Sequence, residues 1–180
     1  MFFKRKISHE LFKDIQNYIE KNLIVLKPAR GSMGSAKECG APRAMAEQQT
    51  DYEVSAVPPD LDDALSQIDE SFSEMLLRLI DEKGMSDAEC YKKAGIDRKL
   101  FSKIRGNRLY KPSKQTAVAF AIALELELDE ARDMLMKAGY ALSHSNKADI
   151  IIEYFILKKN YNLFEINDAL YSFDQPLIGG

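Results

Sequence analysis

The run from Met85 to Lys114, MSDAECYKKAGIDRKLFSKIRGNRLYKPSK, constrains this chain more than any other part of it. It holds two short helical patterns with Ala94-Gly95-Ile96 between them. Ser86 with Glu89 three residues on has the form of a capping box, where each side chain serves the other's backbone N–H. Gly95 marks the turn, because glycine reaches φ > 0 without a Cβ penalty. Asp97 can cap a second helix, its carboxylate favoured at the positive N-terminal end. That helix reads Arg98-Lys99-Leu100-Phe101-Ser102-Lys103-Ile104-Arg105. Helical spacing turns Phe101 and Ile104 toward a core and Arg98, Lys99, Ser102, Lys103 and Arg105 outward.

Two short helices joined by a tight, Gly-containing turn make a helix-turn-helix. Such a motif lays its second helix in the DNA major groove. The charge agrees. From Lys92 to Lys114 the cations are Lys92, Lys93, Arg98, Lys99, Lys103, Arg105, Arg108, Lys111 and Lys114, against Asp97 alone. Phosphate neutralisation supplies most of the non-specific affinity for nucleic acid, so this patch outweighs a whole-chain net charge of −3.

Residues from about 72 to about 140 resemble the lambda-repressor/Cro-like (XRE-type) helix-turn-helix domain. The matching features are Ala94-Gly95-Ile96 at the turn, Phe101-Ser102-Lys103-Ile104 in the third helix, the Gly106-Asn107 exit, and Lys111-Pro112-Ser113 before a fourth, apolar helix. The resemblance covers a little over a third of the chain. It implies a five-helix all-α domain, double-stranded DNA as partner, no cofactor, and a bacterial or phage transcriptional regulator. It points Arg98, Lys99, Ser102 and Lys103 at base edges, and Arg105, Arg108 and Lys111 at phosphates. Three positions depart from the family pattern. Asp87 stands where Gln is common, Tyr91 where a small residue is common, and Arg105 where an acid is common. Asp87 and Glu89 would repel a phosphate, and Arg105 adds compensating charge. The alternative is a protein-interaction (adaptor) module of a multi-component bacterial system that reuses the fold.

The rest of the chain extends this unit. At 180 residues with 46% apolar composition, it can bury a core and carry additions. No apolar run reaches the length of a membrane span. Met1-Phe2-Phe3 precedes Lys4-Arg5-Lys6, the reverse of the order in a secretory signal, so a cytoplasmic location is expected. Residues 60–91 carry ten acids against Arg78 and Lys83, immediately before the basic stretch, so the surface should be polarised.

In order, residues 1–26 contain an amphipathic docking helix, Ser8 to Asn22, with Leu11, Phe12, Ile15, Tyr18 and Ile19 on one stripe. Leu23-Ile24-Val25-Leu26 reads as its end or as a short strand. Residues 27–59 lack any hydrophobic period and read as a flexible linker. Gly31-Ser32-Met33-Gly34-Ser35 lacks the Gly-Lys-Ser/Thr ending of a phosphate loop. Residues 60–145 hold the helix-turn-helix domain behind an acidic leading helix, which runs from Asp60 to Gly84 as one piece or as two with a joint near Ser71. Ser113 should cap a helix from Lys114 to Leu126, and Asp129 one that ends at Gly139. In that last helix Leu135 and Ala138 should reach the core, with Met134 or Met136 filling a gap.

Residues 146–180 form an extension of two helices. Asn146 starts one carrying Ile150, Ile151, Tyr154, Phe155 and Leu157, and Phe164 to Phe173 supplies the other. They either complete the core or offer a homodimer or partner surface across 146–176, a role the N-terminal helix could share. Catalysis finds no support. His144, between Ser143 and Ser145, fits a helix-connecting loop better than a triad. Cys39 and Cys90 lack the paired spacing of a metal site.

Overall fold

The computed structural model describes residues 7–23 and 69–179. Over these residues the chain is all-α, with eight helices and no strand. In chain order they are α1 (His9–Asn22), α2 (Phe72–Glu82), α3 (Asp87–Lys93), α4 (Arg98–Gly106), α5 (Lys114–Ala123), α6 (Leu128–Lys137), α7 (Lys147–Leu157) and α8 (Leu163–Ser172). The expected linker at 27–59, residues 60–68 of the expected acidic leading helix, Ile24-Val25-Leu26, Gly31 to Ser35 and Cys39 lie outside the described residues. None of the described helices is long and apolar enough to cross a membrane.

The starts follow local side-chain chemistry. Ser8, Ser71, Ser86, Asp97, Ser113, Asn146 and Asn162 each accept a backbone N–H from the first turn of the helix they precede. Ser71 with Glu74 and Ser86 with Glu89 close full capping boxes. Ser71 therefore marks the start of α2.

Two boundaries differ from expectation. The helix expected to reach Leu126 stops at Ala123. Glu125 takes φ 51°, and this turn brings Leu124 and Leu126 fully into the core. The next helix is capped by Glu127, not Asp129. The Glu127 backbone N–H donates to the Glu130 carboxylate at 3.1 Å, which places the acidic pair one register earlier.

The core centres on α5 and α7. From Thr116 to Ala123 every residue of α5 is buried, and the small alanines let α3, α6 and α8 pack close around it. From Ala148 to Ile156 every residue of α7 is buried as well, between α1, α6 and α8. The two C-terminal helices thus complete the core, Ile166, Ala169 and Leu170 of α8 included. Met134 fills the core while Met136 is exposed, and Leu157, at the end of α7, is half-exposed.

Candidate nucleic-acid interface

The hydrophobic side of α4 fixes its direction. Phe101 and Ile104 are buried, with the Phe101 ring 6.0 Å from that of Phe120 on α5 and 5.6 Å from that of Tyr91 on α3. Tyr91 fills the space under α4 that a smaller residue would leave. Between α3 and α4, Gly95 adopts φ 65°, and Ile96 closes the turn by donating to the Tyr91 carbonyl at 2.8 Å. A Cβ on Gly95 would sit 3.1 Å from Leu163 of α8, so the C-terminal extension is packed against this turn. The tail adds to the contact. Asn167 donates to the Ile178 carbonyl at 3.0 Å and accepts its N–H at 2.9 Å, which lays Gly179 against the backbone of Ala94.

With the inner face committed, Arg98, Lys99, Ser102, Lys103 and Arg105 all lie exposed on the outer face of α4. Arg108 and Lys111 follow in an exposed loop. Ser73 and Tyr110 pin that loop through the Asn107 carbonyl, at 3.1 and 3.0 Å, and Tyr140 bonds the Pro112 carbonyl at 3.1 Å.

The cations divide into two sets. Arg105 is ion-paired to Asp87, and Arg108 to Glu74 at 2.6 Å. Lys93 is held by Glu125 and Lys114 by the buried Asp149, both at 2.6 Å. Lys92, Arg98, Lys99, Lys103 and Lys111 have no ion-pair partner among the described residues. The acid at the start of α3 and the base at the end of α4, two separate departures in sequence, form one contact in space. Glu74 was missed. Three groups hold its carboxyl below the ordinary carboxylate range: the Ser71 backbone N–H, the Ser71 hydroxyl and the Arg108 guanidinium.

A second polar cluster lies apart from this face. Glu153, only 4% exposed, accepts from the Tyr18 hydroxyl at 3.0 Å and from Arg132 at 3.2 Å, and its other contact is His144 Nε2 at 3.0 Å. Burial alone would raise its pKa. The bonds from His144 and Tyr18 outweigh burial, and the carboxyl lies below its ordinary value. Tyr18 is pushed up to about 12 by burial and by this carboxylate. His144 thus has a structural partner on α7. Cys90 is fully buried, which pushes its thiol up to about 12 and removes it from thiolate chemistry at neutral pH. No cluster of three or more His, Cys, Asp or Glu side chains with the arrangement of a metal site occurs among the described residues.

Comparison with protein-family models, with curated proteins and with solved structures finds no match to this chain.

Proposed function

We propose that α2 to α6 form a lambda-repressor/Cro-like helix-turn-helix unit that binds duplex DNA through the outer face of α4, in the role of a transcriptional regulator. One observation carries this reading: Arg98, Lys99, Ser102 and Lys103 stand exposed on one face of a helix whose opposite face is locked into the core. A capped helix and a positive-φ glycine precede it, and its own Asp97 cap sets where it starts. By the geometry of such motifs the N-terminal half of α4 meets base edges. Lys111, beyond α4, suits a phosphate.

The test is a titration of the purified chain against duplex DNA at rising salt. Lys92 and Lys111, with Arg108 where it leaves Glu74 for a phosphate, give two to three phosphate contacts and predict a log–log slope of roughly −2 to −3, at about −0.9 per neutralised phosphate. A flat salt response, or no binding at about 50 mM salt, rejects the reading.

A second reading rests on a specific feature of the same face. Asp87 and Glu74 bring carboxylates among its cations. A surface of mixed sign suits a protein partner with complementary charges, as an adaptor would have.

A further inference from the structure

α1 is attached differently from the other helices. It meets the body along one stripe, where Ile15 and Ile19 are buried. The Phe12 ring stacks on Phe173 at 4.6 Å, and the Tyr18 ring meets Tyr154 edge-on at 5.4 Å. Open clefts run along both flanks of that stripe. One, of about 380 Å³, is lined by Asp14, Tyr18 and Lys21 of α1, by Tyr154 and Leu157 of α7 and by Lys158 just after it. The other, of about 520 Å³, is lined by Phe12, Ile19 and Glu20 of α1 and by Lys147 and Phe173 of the body. A helix with a cleft on each side sits in its groove as a bound peptide does. In sequence, residues 24–68 separate it from the next described part of the chain.

The receiving face has support besides α1. α7 is fixed from its other sides by α6 and α8. Its polar anchor, Glu153, is also held by Arg132 and His144, both of the body. Charge complements shape on both flanks: Asp14 shares one cleft with Lys158, and Glu20 shares the other with Lys147.

We propose that this face of α7 is a helix-acceptor groove, and that two copies of the chain can fill each other's grooves by exchanging α1. The occupant is the one whose fit is on display. α1 from a second copy reproduces every contact of the first, because the groove does not sense which chain supplies the helix. Exchange adds the entropy cost of association, so the helix in cis prevails at low protein concentration and the exchanged pair grows as concentration rises. The interface is isologous and closes at two copies. The proposal is independent of DNA binding.

Two measurements on the full chain test it. The first titrates a fluorescent peptide of residues 7–23 into the wild-type chain and into the Ile15→Asp chain, whose own α1 cannot seat. The peptide should bind the Ile15→Asp chain saturably, and roughly 10-fold or more weaker to wild type, where the tethered helix competes. A peptide carrying Ile15→Asp should bind neither chain. Binding to neither chain by the wild-type peptide, or equal binding to both, overturns the proposal. The second mixes wild-type chains labelled with a donor at His9 and chains labelled with an acceptor at Lys158. Energy transfer between copies should rise with total concentration, in step with dimer fraction by sedimentation. Absence of transfer up to about 1 mM, or a dimer without it, overturns the proposal even where Ile15→Asp fails to fold.

Discussion

Asp87 is the residue on which the proposed interface turns. Its carboxylate holds Arg105, and in the proposed reading it would repel a phosphate there. Replacing Asp87 by Gln removes a repulsive charge and frees a guanidinium. In the proposed reading the variant binds DNA more tightly, and its salt slope steepens by about 0.9, one further phosphate. Unchanged affinity and slope would remove Arg105 from the contact surface. Arg98 and Arg108 make a contrasting pair. Arg98 stands exposed at the first position of α4, where a bidentate bond to guanine is worth about 1–3 kcal/mol of discrimination. Arg98→Ala should flatten the preference at one base pair. Arg108 is bound to Glu74 in the loop after α4, so Arg108→Ala should weaken selected and random duplexes about equally. Binding curves for both variants on both duplexes check this, and the idea fails if Arg98→Ala leaves preference intact. The outward set on α4 was legible in sequence because helical period assigns a face to each residue. The pairings were not, because Asp87–Arg105 and Glu74–Arg108 join residues of different elements.

At the level of elements, most helix starts were legible, since a Ser, Asp or Asn cap acts within a few residues of itself. The departures occurred where burial decided. α5 ends early so that Leu124 and Leu126 can both reach the core, and that demand comes from α6 and its neighbours rather than from the local sequence. The Glu153 cluster was invisible for a related reason: its members come from α1, α6, α7 and the loop before α7. It also supplies a pH test. Glu153 ionises more readily in the fold than in the unfolded chain, whose reference value is 4.5. Its contribution to stability is therefore complete above 4.5 and is lost as pH falls through the lower folded value. The charged and titratable groups facing it are Tyr18 of α1, Arg132 of α6 and His144 of the loop. Glu153→Gln should lower the urea midpoint at about pH 7, and the gap to wild type should narrow once pH drops below the carboxylate range. A gap that stays constant with pH would mean that the carboxylate charge adds nothing to the docking of these elements.

The whole molecule shows what apolar composition left open: the inner faces of the C-terminal pair complete the core. Ile150, Ile151, Phe155, Ile166 and Leu170 are all fully buried in the same core as Phe72, Phe101 and Phe120. Composition alone cannot make that choice, because it depends on whether α5 and α6 leave a face uncovered. They do, and α8 covers α5 while α7 covers α6. The contact of Leu163 and Gly179 with the turn before α4 ties the extension directly to the proposed interface. Lys114 makes a third tie, from the start of α5 to Asp149, which is only 3% exposed. Removing residues 146–180 uncovers the apolar side of α5 and strips the turn of its packing. A partly exposed apolar helix of this kind favours loose or aggregated states over a cooperative fold. The chain ending at Ser145 should therefore lose its sharp thermal transition and bind an apolar dye, while its far-ultraviolet helix signal partly persists. A cooperative melt of that truncated chain, with near-ultraviolet dichroism retained, would show instead that the five helices from Phe72 to Tyr140 stand alone and that the extension is an accessory layered on a finished domain.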